Sequence, residues 1–209
     1  MQGGKITQDI LNHLVENNYF FDNLDDEQVI KKADKLIEDH IQERYYIGNF
    51  DTYMNKEYGE YEFLRKGGES LVYLASNEKK NKIAVKRFRA KNGLFRSLIN
   101  KVILQNLLFP EAPYVLKGFT KDKNNKYQII LEQPYFEHTN KVSPEEVKND
   151  MVNNRGFKEI DNEIFISKDY VVRDLHGGNV LKGRNGELLY IDPIIRLNRN
   201  NRSYADFLK

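Results

Sequence analysis

The sequence predicts an α+β fold with a helical N-terminal segment, a β-rich lobe and a smaller second lobe of short strands. Three observations carry that expectation. Apolar residues recur at helical spacing between Ile6 and Tyr46. From Tyr61 the period shortens to β-rich runs broken by Gly, Asn and Asp turns. The 209-residue chain is 40 % hydrophobic, with 12 Phe and 13 Tyr, enough to close a core. The 33 Lys+Arg nearly balance the 31 Asp+Glu, for a formal net charge of +2, so composition makes no strong case for nucleic acid as a partner. With no Cys, disulfide scaffolds, thiol nucleophiles and the usual structural zinc sites are excluded. No apolar run reaches membrane-spanning length and Met1 to Ile10 has no hydrophobic signal core, so a soluble cytoplasmic protein without membrane partners is expected. The 23 Asn and 22 Lys against 11 Arg suggest A-rich codons, as in a low-GC bacterium, its phage or a mobile element.

Taken in order, Ile6 to Phe21 and Asp25 to Tyr46 read as two helices, the second capped by Asn23 or Asp25. Residues 1–60 form an N-terminal helical extension, and 61–209 the main domain. Phe63-Leu64, Leu71 to Ala75 and Ile83 to Phe88 read as strands, with Gly67-Gly68 in the first connection and a polar turn at Ser76 to Lys82. Leu94 to Leu108 is a helix that stops before Pro110. Strands Val115 to Thr120 and Tyr127 to Gln133 come next, joined by the polar turn Lys121 to Lys126. Ser143 as N-cap, Pro144 at the first helical position and Glu146 three residues on start another helix with a capping box, and Gly156 ends it. Phe157 to Ile160, Glu163 to Ser167 and Tyr170 to Val172 are short strands. Val180 to Lys182 and Leu188 to Ile191 form a hairpin around Asn185-Gly186.

Three spaced features ask for a joint explanation. Lys86 lies on a strand directly after the glycine-containing hairpin. Asp174 and Asn179 lie five residues apart in Arg173-Asp174-Leu175-His176-Gly177-Gly178-Asn179. Asp192 leaves the next hairpin thirteen positions after Asn179. Taken singly, a strand lysine faces solvent and loop Asp and Asn are turn formers. The ordered set instead resembles the protein-kinase-like fold, and the Asp-Leu-His-Gly-Gly-Asn loop looks like those of aminoglycoside-phosphotransferase-like and other atypical kinases. Leu108-Phe109-Pro110, Lys117-Gly118-Phe119, Glu132-Gln133-Pro134 and Ile191-Asp192-Pro193 add similarity to the small kinase domain found in polyvalent proteins of bacterial mobile elements. The resemblance spans about Phe63 to Leu197.

It implies a β-rich N-lobe, a truncated C-lobe, ATP and Mg²⁺ as cofactors, and an unknown protein or small-molecule acceptor. Lys86 takes the place of the strand lysine on the nucleotide phosphates, Asp174 that of the catalytic aspartate, and Asn179 and Asp192 those of the metal ligands. Gly67 and Gly68 would expose amides to phosphate, and Glu132 and Gln133 belong to the hinge that receives adenine. His176, standing where eukaryotic-type kinases carry a lysine, either contacts the transferring phosphate or ties the loop. The residue types suit the chemistry: a fixed cation for polyphosphate, hard oxygen ligands for Mg²⁺, and a carboxylate for an acceptor hydroxyl.

The departures matter as much. Arg65 and Ser70 stand where the first and third glycines of a full phosphate loop would fall. The helix Leu94 to Leu108 has no acid to pair with Lys86, leaving Gln105 as a neutral substitute and Glu69, Glu62 or the phosphates as sources of charge. Pro193-Ile194 replaces the Phe-Gly pair, and only 17 residues come after Asp192, too few for the usual activation segment and docking helices. A pseudokinase that binds nucleotide or protein without transfer is therefore the alternative. Arg196 to Arg202 reads as a solvated basic tail.

Overall fold

The computed structural model describes residues 4–17, 27–91, 93–137 and 142–198. Helices α1 (Gly4–Glu16) and α2 (Glu27–Arg44) open the chain, with Ile10 and Leu14 facing Ala33, Ile37 and Ile41 in a shared core. The expected caps Asn23 and Asp25 lie outside the described residues. A third helix, α3 (Phe50–Tyr58), was not expected. Its signal is short: Asn49 caps the amide of Thr52 at 3.0 Å, Asp51 comes next in the first turn, and Phe50 and Met54 are buried.

Strands β1 (Tyr61–Lys66), β2 (Ser70–Ser76), β3 (Lys82–Arg89), β4 (Val115–Lys121) and β5 (Tyr127–Pro134) form one antiparallel sheet in the order β1-β2-β3-β5-β4. Its two faces bury different sets. Val85, Ile83, Ala75 and Ile130 pack under α3. Phe88, Ile129, Leu131 and Leu116 face the helix expected at Leu94 to Leu108. That helix is composite: α4 (Leu94–Leu98), a π-helical segment at Ile99–Ile103, and α5 (Leu104–Leu108). Residues 45–47 lie along the free edge of β4, where Ile47 N–H donates to Phe119 O and Phe119 N–H to Tyr45 O. Gly118 permits this approach, since a Cβ there would come within 2.7 Å of Ile47 and 2.9 Å of the Tyr45 carbonyl.

The second lobe begins with α6 (Pro144–Asn149), whose Ser143–Glu146 capping box forms as expected, and continues as a π-helical segment at Asp150–Asn154. A four-stranded sheet comes next in the order β11-β8-β7-β6, from β6 (Lys158–Asp161), β7 (Ile164–Ile166), β8 (Tyr170–Arg173) and β11 (Ile194–Leu197). The hairpin β9 (Val180–Lys182) and β10 (Leu188–Tyr190) stands beside it. Arg196 and Leu197 thus belong to a strand paired with β8, not to a solvated tail, because Ile195 beside them anchors that strand in the core at 1 % exposure. Asn198 follows them, donating its N–H to Asp169 O at 2.8 Å, and residues 199–202 lie outside the described residues. Among the described residues no helix is long and apolar enough to cross a membrane.

Candidate active site

Lys86 sits mid-strand in β3, flanked on both sides by β2 and β5 and paired in register with Val72 and Leu131. Its side chain enters the interior, leaving the residue 2 % exposed. A buried ammonium needs acceptors. It finds two: Nζ donates to Tyr114 Oη at 2.8 Å and to the Ile191 carbonyl at 2.9 Å. Burial pushes its pKa down to about 8; the Asp192 charge opposes the shift, and Lys101 and Arg65 reinforce it. Tyr114 Oη donates in turn to the same Ile191 carbonyl at 2.7 Å, and burial holds its pKa well above the ordinary tyrosine value, so it stays a neutral donor.

The loop between β8 and β9 carries Asp174, His176 and Asn179. Asn179 Nδ2 donates to the Asp174 carbonyl at 2.9 Å and to its carboxylate Oδ2 at 3.0 Å, which fixes Asp174 in the left-handed region at φ 66°. His176 Nδ1 accepts the Gly178 amide at 3.0 Å, and its Nε2 lies 3.3 Å from Asn179 Nδ2 and 3.5 Å from Asp174 Oδ1. A Cβ at Gly178 would meet the imidazole at 2.9 Å and displace the ring from this hydrogen bond. His176 thus ties the loop through Gly178, with its ring half exposed. The loop joins the third feature through the backbone, where Ile191 N–H donates to Asn179 O at 2.8 Å. Ile191 therefore links Lys86 on one side and Asn179 on the other, and Asp192 is its direct neighbour.

Asp192 is not bare. Lys101, from the π-helical segment, places Nζ 3.0 Å from Asp192 Oδ1 and 3.9 Å from Glu69 Oε2. Glu69 thus serves Lys101 and Lys91 rather than Lys86. Gln105 does not substitute beside Lys86 either: its Nε2 donates to the carbonyls of Tyr190 at 2.7 Å and Ala112 at 3.2 Å, tying the helix to the second lobe. Tyr114 and Lys101 are the two residues that sequence reasoning missed. Tyr114 carries no local signal, its contact with Lys86 spanning 28 positions. Lys101 could have been noticed as one of only two charged residues in Leu94 to Leu108.

Gly67 and Gly68 lie in the β1–β2 turn, where Gly67 N–H closes onto Ser70 O at 2.8 Å. An added Cβ at Gly68 meets nothing within 4 Å, so packing does not demand glycine there. Glu132 points to the α3 face, accepting from Tyr58 Oη at 2.6 Å and lying 3.3 Å from Lys117 Nζ. Gln133 is buried and donates to Ala112 O at 2.8 Å. The β5–β4 ladder ends at Glu132–Val115, so the strand edge on that side opens only beyond Glu132. Arg173, next to Asp174, has a buried Nε with no acceptor among the described residues.

The donor set suits Mg²⁺. The Asn179 amide nitrogen is spent on Asp174, which turns its carbonyl oxygen outward as a hard ligand, and Asp192 supplies a carboxylate. No three His, Asp or Glu side chains gather as a metal site among the described residues.

The profile of the family described as Serine/Threonine/Tyrosine Kinase found in polyvalent proteins matches residues 31–199. The chain belongs to this kinase family. The match begins inside α2 and ends just past β11, taking in both lobes and every residue of the candidate site. Among solved structures, the MAP kinase LmaMPK10 from Leishmania major is similar over 63 % of this chain at 16 % identity and a TM-score of 0.36. The similar region covers 45 % of that kinase. No curated protein matches. The kinase-like α+β architecture expected from the ordered Lys, Asp, Asn and Asp is in keeping with membership of this family.

Proposed function

We propose that this chain is an ATP- and Mg²⁺-dependent phosphotransferase that moves the γ-phosphate of ATP to a hydroxyl of its acceptor. One observation carries the reading: Lys86, Asn179 and Asp174 are joined by consecutive hydrogen bonds through Ile191, and Asp192 is the next residue. The Asn179 to Ile191 link continues the β9–β10 hairpin, so the informative contact is the one that brings Lys86, 105 positions away, onto the residue before Asp192. Lys86 would hold the α- and β-phosphates, and the β1–β2 turn at Gly67 and Gly68 would offer amides to them. The opened edge of β5 at Gln133, next to Glu132, would receive the adenine. Asn179 and Asp192 would hold Mg²⁺, which supplies charge neutralisation for the phosphates when bound. Asp174 would orient the acceptor hydroxyl and accept its proton while its oxygen attacks phosphorus and the bond to ADP breaks, with His176 keeping the loop in shape.

A second reading, a pseudokinase that binds without transfer, draws on Lys101, which already occupies Asp192, and on the absence of a carboxylate bonded to Lys86 among the described residues. Asp174→Ala separates the two. It should keep the thermal stabilisation given by ATP with Mg²⁺ and lose phosphate transfer from γ-labelled ATP by at least about a hundredfold. Full transfer by this variant would remove Asp174 from its role, and absence of transfer by the unaltered chain to any acceptor would favour the pseudokinase. Running α-labelled ATP beside it would reveal nucleotidylation instead.

A further inference from the structure

The chain is nearly neutral, yet its cations are not spread evenly. A cleft of about 780 Å³ opens beside β3, β4 and the β4–β5 turn, lined by Arg87, Arg89, Lys91, Lys121, Lys123 and Lys126. Its one acid, Asp122, is committed to the turn, accepting the amides of Asn124 at 2.8 Å and Lys126 at 3.0 Å. Arg89 and Lys91 also line a second cleft, of about 120 Å³, which runs past Lys101, Arg173 and Arg196 with Glu69 as its single acid. Because Lys101 touches Asp192, the cationic face is continuous from the β4–β5 turn to the mouth of the candidate active site. Two arginines on this face keep buried Nε–H groups with no acceptor among the described residues: Arg87 in the larger cleft and Arg173 in the smaller. Both Nε–H groups lie beneath the surface, and the Arg87 guanidinium already lies over the Phe50 ring at 4.7 Å, so the exposed side chains Arg89, Lys123 and Lys126 carry most of the accessible charge.

We infer that this face docks an acidic segment of the protein that the kinase phosphorylates, carboxylate or phosphoryl oxygens meeting Arg89, Lys123 and Lys126. The inference rests on the phosphotransfer reading for the word acceptor, but the docking is independent of it. Nucleic acid fits less well. The larger cleft has one aromatic side chain, Tyr127, and it is already engaged: its hydroxyl donates to Gln42 at 2.7 Å, its ring stands edge-on to Tyr46, and Lys121 covers it at 4.5 Å. No stacking platform is left for bases. Clustered cations of one sign attract an extended polyanion and weaken with salt.

The test is fluorescence anisotropy on the full chain, without nucleotide, using a labelled oligoglutamate peptide that contains one serine. Its isosteric oligoglutamine counterpart and a single-stranded DNA of equal charge serve as comparisons. The acidic peptide should bind at least about tenfold more tightly than the glutamine peptide, and Lys123→Glu with Lys126→Glu should weaken it about tenfold at unchanged Tm. Equal affinity for both peptides, or no response to the charge reversal, overturns the inference. So does DNA that binds more tightly and displaces the peptide. Since binding is read without ATP, a peptide that binds but takes up no phosphate supports the surface and counts against the phosphotransfer reading alone.

Discussion

Lys86 is held at a cost. Its amine titrates near 8 in the folded protein against 10.5 unperturbed, so between those values the unfolded chain binds more protons and stability rises with pH. Below about pH 8 both states are protonated and the whole penalty, about 3 kcal/mol, is present. Lys86→Met, which keeps the volume and leaves the Tyr114 to Ile191 hydrogen bond intact, should therefore raise Tm by about 5 °C at pH 7 while abolishing stabilisation by ATP with Mg²⁺. A lower Tm would mean that the lysine is a net stabiliser. Nucleotide affinity should also fall as pH climbs through about 8, where the cation is lost. Lys101 gives a second expectation at the same scale. Its ammonium competes for the Asp192 carboxylate, so Lys101→Met should shift the Mg²⁺ titration at saturating ATP to about tenfold lower concentration. An unchanged or raised midpoint would make Lys101 a phosphate ligand or a bystander. These residues also mark where sequence reasoning stops. The strand lysine, the loop Asp and Asn and the later Asp were legible because their order and spacing are local facts. The partners of Lys86 and Asp192 were not, because each is set by how two elements pack.

Elements in this chain support one another across long separations. Helix α4 starts at Gly93, whose φ of 88° and missing side chain give it no cap of its own. Asp34 of α2 supplies one, accepting the Phe95 amide at 2.8 Å, and a Cβ on Gly93 would collide with that carboxylate. Burial pushes the Asp34 pKa up, while the amides of Phe95 and Leu94 and the charge of Arg96 pull it back. The N-terminal helices therefore hold the start of the helix that carries Lys101. Asp34→Ala should cost about 1–2 kcal/mol, read as a Tm lower by about 2–8 °C, and should weaken ATP binding through the displaced helix. Loss of stability with unaltered ATP binding would confine Asp34 to capping. A cap donated from 61 residues away leaves no local pattern, whereas Ser143, Pro144 and Glu146 announce theirs within four positions. That contrast explains why the longer helices were legible while α3 and the support between helices were not. The π-helical segments at Ile99–Ile103 and Asp150–Asn154 were hidden for a related reason, since an i, i+3, i+4 pattern tolerates one wide turn.

At the level of the molecule, the strand order of the first sheet and the pairing of β11 back onto β8 depend on contacts that no single segment encodes. Beside the apolar core that the two lobes share, a polar and aromatic node around Arg155 joins them. Its guanidinium reaches Asp150 Oδ2 and Glu111 Oε1, each at 2.7 Å, and the Leu108 carbonyl at 3.0 Å. It also lies over the rings of Phe109 and Tyr190, which stack on each other at 4.5 Å. Tyr190 Oη closes the node by donating to Asp150 at 2.8 Å. Burial pushes the Asp150 carboxyl up, but hydrogen bonds from Asn154, Arg155 and Tyr190 hold it below its ordinary value of 3.8. Its contribution is therefore complete above that value and lost only in stronger acid. Arg155→Ala strips the cation from two partly buried carboxylates and uncovers both rings, at a cost of about 2–3 kcal/mol after allowance for solvent at the rim. Because α5, the π-helical segment after α6 and β10 all meet here, the loss should fall on the coupling between lobes rather than on either alone. The unaltered protein should unfold in one transition, and Arg155→Ala should both lower Tm by about 4–12 °C and broaden or split that transition. Arg155→Lys, which keeps the charge but not the fork that grips Asp150 and Glu111 together, should fall between the two. A sharp transition at unchanged Tm in Arg155→Ala would place the coupling in the shared apolar core and the Gln105 and Ile191 contacts instead.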